Sequence, residues 1–200
     1  MMNWIAHWAV YYVISDYFKS SSMATESHIV PAAASLRSDL LLSFTGSSSF
    51  NWGFILAIAC VVIVQYILRR TVIGYEMRAV GFNAEAAEYG GINVKKNAVL
   101  SMAIAGALAG LAGVSYYCGY CTAIRIGVQP SHGFDGVAVA LLGGISPFGV
   151  GFASIFFAIL QTGKGFMSVM TKIAPEIADT IIAIIIYFAA ISKFVDRYFD

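Results

Sequence analysis

Two cysteines of this sequence have a spacing that could support redox or metal chemistry. Cys118 and Cys121 form a CxxC pair, as in thioredoxin-like redox pairs and in half of a zinc site. No second Cys or His pair completes a metal site, since His28 and His132 stand apart in predicted loops. The sequence therefore predicts no metal, and a redox role for the pair stays as an alternative to plain packing.

The sequence contains no pattern typical of an enzyme. It lacks a GxxxxGK[ST] loop, whose backbone amides would cradle phosphates, so any ATP would be bound by a partner. No nucleophile and general base lie at matching depth in the apolar segments. We therefore expect no catalytic residues and no cofactor in this chain, and we predict that it is not an enzyme.

A charged segment in the middle of the chain, residues 69–96, has a pattern that favours a short exposed helix. The side chain of Asn83 can cap this helix by accepting a hydrogen bond from a backbone amide, and Glu85 falls in the first turn, where the helix dipole favours a carboxylate. Gly90 and Gly91 are then expected to end the helix. These residues alone leave two interpretations open, a docking element for a partner and a solvated connector.

The composition of the chain excludes a soluble protein. Hydrophobic residues make up 59% of the chain and charged residues 12%, against roughly 25% charged residues in an average soluble domain, and the mean hydropathy is +0.77. The formal net charge of +1 provides no basic surface for a nucleic acid. We predict an integral membrane protein that contacts the lipid bilayer and binds no nucleic acid.

Apolar stretches predict the membrane-spanning elements. Helices are expected, because backbone polar groups in lipid must be satisfied within the segment. The predicted fold class is all-α, a polytopic transmembrane helical bundle with about five spans plus one half-helix, in one domain over residues 1–200. The stretches are residues 3–18, 52–68, 97–118, 134–163 and 177–194.

The stretch at residues 134–163 has the wrong length for a single span. As one helix it would be about 45 Å long, against roughly 30 Å of hydrocarbon. Pro147 lacks an amide donor and clashes with the preceding turn, and the glycines before it permit a sharp redirection. The sequence predicts a half-helix near residues 134–144, a turn, and a second span near residues 148–163.

The basic residues predict the orientation in the membrane. Residues 69–96 carry five Lys or Arg residues, whereas residues 119–133 carry only Arg125. Because cytoplasmic loops collect Lys and Arg, we expect residues 69–96 to face the cytoplasm. With the turn that follows the half-helix, the C-terminus is expected on the same side.

The charged segment also resembles a known family. Glu85, Ala86 and Ala87, followed after three residues by Gly91, match the EAAxxxG pattern of the coupling loop in ABC importer permeases. The wider sequence is similar to the branch of that family that handles ribose-type sugars and nucleosides, and most of all to the larger permease of bacterial nucleoside importers. The resemblance covers nearly the whole chain. Its motifs lie at residues 78–92, 105–113 and 133–143, and the match to the larger nucleoside permease also uses residues 2–6, Pro31 and residues 69–71.

This resemblance implies a permease subunit of an ATP-driven importer for nucleosides or related sugar-like solutes, in the bacterial inner (cytoplasmic) membrane. The implied partners are an ATP-binding cassette subunit, which would bind the ATP, a second and different permease subunit, and an extracellular substrate-binding lipoprotein. The translocation pathway is expected beside the half-helix, at Phe134 and Asp135. The implied ATPase-docking residues, within a coupling loop at about 69–96, are Arg78, Gly81, Asn83, Glu85, Ala86, Ala87 and Gly91.

Several alternatives stay open at this point. Arg78 and Glu85 are expected to pair with each other or with the partner, or else to be solvated surface charges, and Asp135 is either a ligand to the solute or the acidic residue that begins a helix. An ion-coupled secondary transporter is the rival function. Permeases of the family have more membrane elements than this sequence supplies, so we expect a partial transmembrane domain that lacks upstream spans, and an inactive permease fragment is a further alternative.

Overall fold

The computed structural model describes residues 2–19, 25–31, 34–37, 51–121, 123–128, 132–171 and 175–199. The chain divides into two compact units, Met1–Pro130 and Ser131–Asp200. Each unit is described by itself below. The prediction of one domain over residues 1–200 therefore stays a prediction.

Helices dominate the described part of the first unit, where the extended backbone forms only isolated bridges, between Lys19 and Ser27 and between Glu26 and Arg125. The last helix of this unit continues into a single π-helical turn at Tyr116–Tyr120. This architecture confirms the predicted all-α class. The helices are α1 (Met2–Tyr17), α2 (Trp52–Arg70), α3 (Val72–Phe82), α4 (Ala84–Tyr89) and α5 (Val94–Ser115).

The bend between α2 and α3 is made by Thr71 and Gly74. The Thr71 hydroxyl donates to the carbonyl of Ile67 at 2.7 Å and accepts from the amide of Gly74 at 3.2 Å, so one side chain serves the end of α2 and the start of α3. Gly74 is buried, and a Cβ at this position would lie 2.5 Å from the Cα of Leu68. The close contact between the two helices therefore requires a glycine.

The far end of α5 is held by a short segment that precedes α2. Arg37 donates from Nε to the carbonyl of Gly119 at 3.0 Å and from its guanidinium to the carbonyl of Tyr120 at 2.8 Å. The amide of Leu36 donates to the carbonyl of Cys118 at 2.9 Å. These bonds satisfy carbonyl groups that a helix end leaves without intrahelical partners.

The second unit consists of a broken pair of helices followed by a long one. Helix α6 (His132–Leu142) is followed by a turn at residues 143–146, then by α7 (Pro147–Thr171) and α8 (Pro175–Phe199). Gly144 has φ +65° and Ile145 has φ +58° in the turn. A Cβ on Gly149 would collide with the carbonyl oxygen of Gly143, so the first turn of α7 lies directly against the end of α6.

This arrangement confirms the predicted break of the fourth stretch and corrects its end. The second helix runs to Thr171 instead of ending near residue 163. The sequence prediction stopped at the first charge, Lys164, but the ammonium of Lys164 bonds to the carboxylate of Asp179 on α8. Because the charge is paired, the helix continues through it.

The charged segment at residues 69–96 also contains more helix than predicted. Beside the expected short helix, now α4, the segment forms α3, which the sequence interpretation treated as connection. Helix α3 has 11 residues and contains Glu76 and Arg78, so it is too short and too charged to be recognised as a membrane span.

Three helical stretches in the described part of the chain are long and apolar enough to cross a membrane, namely Trp52–Arg70, Val94–Tyr120 and Pro147–Thr171. They contain the predicted spans at residues 52–68, 97–118 and 148–163. Residues 3–18 fall mostly within α1 and residues 177–194 within α8. The crossing of the bilayer by these two segments stays a prediction.

Candidate functional site

The segment from residue 72 to residue 92 forms an exposed surface made of α3, α4 and the turn after them, which we call the 72–92 surface. Asn83 joins its two helices. The backbone amide of Asn83 donates to the carbonyl of Ala79 at 3.1 Å, and its side-chain oxygen accepts from the amide of Ala86 at 3.0 Å. The predicted cap of α4 is thereby confirmed.

The end of α4 is also as predicted. The amide of Gly91 donates to the carbonyl of Glu88 at 2.9 Å, and the amide of Ile92 donates to the carbonyl of Ala87 at 3.0 Å. Gly91 has φ +80°, a conformation that costs an L-residue with a Cβ roughly 1–2 kcal/mol. Glycine at this position lets the chain turn at once from α4 towards α5.

A hydrogen bond from a buried asparagine connects the 72–92 surface to the span that follows it. Asn97, in the first turns of α5, is 3% exposed. Its Nδ2 donates to Oε2 of Glu76 at 3.0 Å and to the carbonyl of Asn93 at 3.1 Å. The sequence analysis missed this pair; the available signal was the single acidic residue of α3 and a polar amide at the start of a long apolar stretch.

The predicted docking residues do not all face outward. Ala87 is 6% exposed and packs inside the unit, so its contribution is to hold α4 in place. The amino acids on either side of Ala87 differ in this respect, since Ala86 and Glu88 are exposed. The other predicted docking residues that are exposed are Arg78, Gly81, Asn83, Glu85 and Gly91.

Large aromatic side chains stand out from the same surface. Phe82 is 88% exposed and Tyr89 is 95% exposed, one at the end of each short helix. Between the helices lies a groove of about 430 Å³ whose lining includes Phe82, Asn83, Ala86 and Ile92. The sequence analysis did not single out the two aromatic residues, although both flank the EAA pattern.

The charges of the 72–92 surface are not paired with each other. Within described residues 72–92, Arg78 and Glu85 form no ion pair; Arg78 Nε instead donates to the carbonyl of Gly74 at 3.4 Å. Of the alternatives left open above, pairing between these two side chains is wrong. Both remain exposed.

The other predicted site lies in the second unit, at an open cavity of about 780 Å³ lined by residues of α6, α7 and α8. Phe134 and Asp135 both line this cavity. Asp135 is also in the first turn of α6, and its Oδ2 lies 3.8 Å from Nδ1 of His132. The geometry therefore accommodates both interpretations of Asp135, a helix-start acid and a group that faces a solute.

Further polar groups in the wall of this cavity were not assigned a role from the sequence. Lys164 Nζ and Asp179 Oδ1 form an ion pair at 2.5 Å between α7 and α8, and Gln161 lies one turn before Lys164. These residues are far apart in sequence from Phe134, so only the packing of the three helices brings them together.

The CxxC pair lies at the end of α5. Cys118 is part of the π-helical turn, Cys121 follows it, and both thiols are free. The described ranges hold no group of three or more His, Cys, Asp or Glu residues that could bind a metal ion.

Comparison with known proteins adds to these observations. The chain is 40% identical to the nucleoside ABC transporter permease protein NupB of Lactococcus lactis subsp. cremoris (strain MG1363), over 98% of this chain and 54% of that protein. It is 39% identical to the guanosine ABC transporter permease protein NupP of Bacillus subtilis (strain 168), over 96% of this chain and 55% of that protein. A glucose ABC transporter permease protein of Haloferax volcanii is 32% identical, over 73% of this chain and 38% of that protein.

The chain thus spans about half the length of the two nucleoside and guanosine permeases. No solved structure gives a significant match. The family model described as branched-chain amino acid transport system / permease component matches residues 1–190. Because that match covers nearly the whole chain, the protein belongs to this family of transport permeases.

Proposed function

We propose that this chain is part of a permease subunit of an ATP-driven ABC importer for nucleosides. The observation that carries this proposal is the 40% identity to a nucleoside ABC transporter permease over 98% of the chain. The sequence holds no phosphate-binding loop of its own, so ATP hydrolysis would be the work of a partner subunit. The chain would then be a transport component and not an enzyme.

The 72–92 surface is the proposed docking site for the ATP-binding cassette subunit. Its short helices are connected by hydrogen bonds, by Asn83 between them and by the Glu76–Asn97 bond to α5. The exposed rings of Phe82 and Tyr89 are the kind of anchors that dominate the energy of protein interfaces. These contacts would couple movement of the ATPase to the membrane helix α5.

The remaining proposed partners follow from the same assignment. A substrate-binding lipoprotein would deliver the solute on the outer side, and a second permease, different from this one, would complete the pathway. The proposed location is the bacterial inner (cytoplasmic) membrane. The translocation pathway would pass the cavity beside Phe134 and Asp135, and it would alternate between outward and inward access as ATP closes the partner dimer.

Uptake into proteoliposomes tests this proposal. The complete transporter, with the permease that contains this chain, its ATPase and its binding protein, is supplied with ATP and a radiolabelled purine nucleoside. ATP-dependent uptake that persists with an uncoupler supports the importer. Uptake that needs a proton gradient and ignores ATP would establish the ion-coupled alternative, and a complex that takes up neither nucleosides nor sugars would establish an inactive permease.

Sugars are the second candidate solute class, because a glucose permease is 32% identical over 73% of the chain. Competition distinguishes the two classes. If the solute is a nucleoside, an excess of unlabelled nucleoside blocks uptake and an equal excess of glucose or ribose does not.

A further inference from the structure

We propose that the cavity between α6, α7 and α8 is a selective binding site for uncharged nucleosides, in which the Lys164–Asp179 pair contacts the ribose and aromatic side chains contact the base. This inference rests on the proposed function and names the site at which that function selects its solute. The cavity belongs entirely to the second unit.

The first step is the chemistry of the lining. The lining includes the aromatic rings of Phe134, Phe157 and Tyr187, each from a different helix. Aromatic side chains stack on nucleobases whatever the base, because every base has a π-face. A volume of about 780 Å³ is within the range of small-molecule sites, roughly 300–1,000 Å³.

The second step is the polar part of the lining. Gln161, Lys164 and Asp179 lie together on α7 and α8, and Lys164 Nζ bonds to Oδ1 of Asp179 at 2.5 Å. The Asp179 side chain is 54% exposed, so its carboxylate is accessible to the hydroxyl donors of a ribose. A carboxylate only accepts hydrogen bonds and an amide both donates and accepts, which suits the vicinal hydroxyls of a sugar.

The third step is the charge balance. Two carboxylates, those of Asp135 and Asp179, and one ammonium, that of Lys164, line the cavity. With His132 neutral, the sum is one negative charge, and the ammonium is already engaged by Asp179. An anionic phosphate would therefore meet net repulsion from the charges that line this cavity, whereas an uncharged nucleoside would not. The site should accept nucleosides and reject nucleotides.

Photolabelling tests the site directly. The complete transporter is irradiated with 8-azidoadenosine, a photoreactive nucleoside, and the labelled peptides are mapped by mass spectrometry. We expect label on residues 132–142 and 157–187, suppressed by excess adenosine but not by free ribose. We also expect at least tenfold less label with 8-azidoadenosine 5′-monophosphate.

Two substitutions and a matched control separate binding from folding. Asp179→Asn should reduce labelling by nucleoside at least tenfold, yet leave labelling by the free base 8-azidoadenine unchanged, because the base does not use the ribose contact. Phe157→Leu should weaken labelling by the nucleoside and by the free base, because both contain the base that the ring contacts. Thr162→Val is the control, since Thr162 is exposed on α7 and bonds only to Ala158 of its own helix. If Asp179→Asn prevents assembly, the reversed pair Lys164→Asp with Asp179→Lys replaces it and should assemble without labelling.

The outcomes distinguish this inference from the proposed function. The inference is wrong if a transporter that imports adenosine carries the label outside these two segments. It is also wrong if the nucleoside and its monophosphate label these segments equally. Neither result contradicts the proposed importer function. A transporter that imports no nucleoside at all overturns the proposed function.

Discussion

Asn83 serves two helices at once, because its amide donates to the carbonyl of Ala79 in α3 while its side chain caps α4. A single residue with a short polar side chain thus sets the angle between the two halves of the 72–92 surface. Gly91 then sets the exit from that surface through its positive φ of +80°. At the scale of residues, the proposed docking surface depends on few positions.

Gly91→Ala tests the importance of this exit. The new Cβ costs roughly 1–2 kcal/mol at positive φ, so we expect the turn after α4 to shift, and both capture of the ATPase subunit and nucleoside uptake to fall, with normal insertion into the membrane. Capture is measured by co-purification of the ATPase with the tagged permease.

Gly90→Ala is the matched control for that experiment. Gly90 has φ −75°, and a Cβ there would lie 3.4 Å from the carbonyl oxygen of Ala87, an ordinary contact. Full ATPase capture by the Gly91→Ala protein would refute the proposed role of the turn in docking.

Asn97→Ala tests the buried bond to Glu76. Removing a hydrogen bond to a carboxylate in a buried position costs about 1–3 kcal/mol, so we expect a lower melting temperature of the detergent-purified permease. Ser101→Ala, one turn further along α5, removes only a bond to the carbonyl of Ala98 at an exposed position and should leave the melting temperature unchanged. Equal melting temperatures of the Asn97→Ala variant and the parent protein would show that the Glu76–Asn97 hydrogen bond does not stabilise the fold.

At the scale of elements, some helices can be predicted from long apolar runs in the sequence, whereas others form only because they pack against a neighbouring helix. The long apolar helices α2, α5 and α7 follow from runs without charge, and the break before α7 follows from Pro147 and the preceding glycines. Helix α3 is different, since it is too short for a span and depends on the Thr71 bend and on contact with α2.

Gly74→Ala measures how tightly α2 and α3 fit together. A Cβ at Gly74 would lie 2.7 Å from the carbonyl oxygen of Leu68, and overpacking of this kind costs about 1–3 kcal/mol. We expect a lower melting temperature and weaker capture of the ATPase. Gly81→Ala, on the same helix with open space around the new Cβ, is the control for the effect of helix propensity on the melting temperature. An equal fall in melting temperature there would argue against the close crossing.

At the scale of the whole molecule, the chain is a helical protein of a membrane permease family, and the surfaces of its helices agree with that environment. Large apolar side chains face outward along the spans, as Ile58, Ile63 and Phe152 do. In lipid no hydrophobic force drives helices together, so exposed apolar surface of this kind is expected instead of a large buried core.

Thiol labelling tests the predicted orientation. In a background with Cys60, Cys118 and Cys121 replaced by Ser, Glu85→Cys should react with a membrane-impermeant maleimide only in inside-out vesicles. Arg125→Cys, at a side chain that is 75% exposed, should react only in right-side-out cells. Labelling of both positions from the same side of the membrane would show that the predicted topology is wrong.

The sequence by itself determined the helical class, the break at Pro147, the cap at Asn83 and the glycine turn at Gly91. Each of these depends on local chemistry: hydrophobic length, a missing amide donor, a side-chain acceptor, or freedom at positive φ. The tertiary structure alone decided the Glu76–Asn97 bond, the burial of Ala87 and the meeting of Lys164 with Asp179. These depend on the register between helices, which is set by close packing of their surfaces and has no signature in any one stretch of residues.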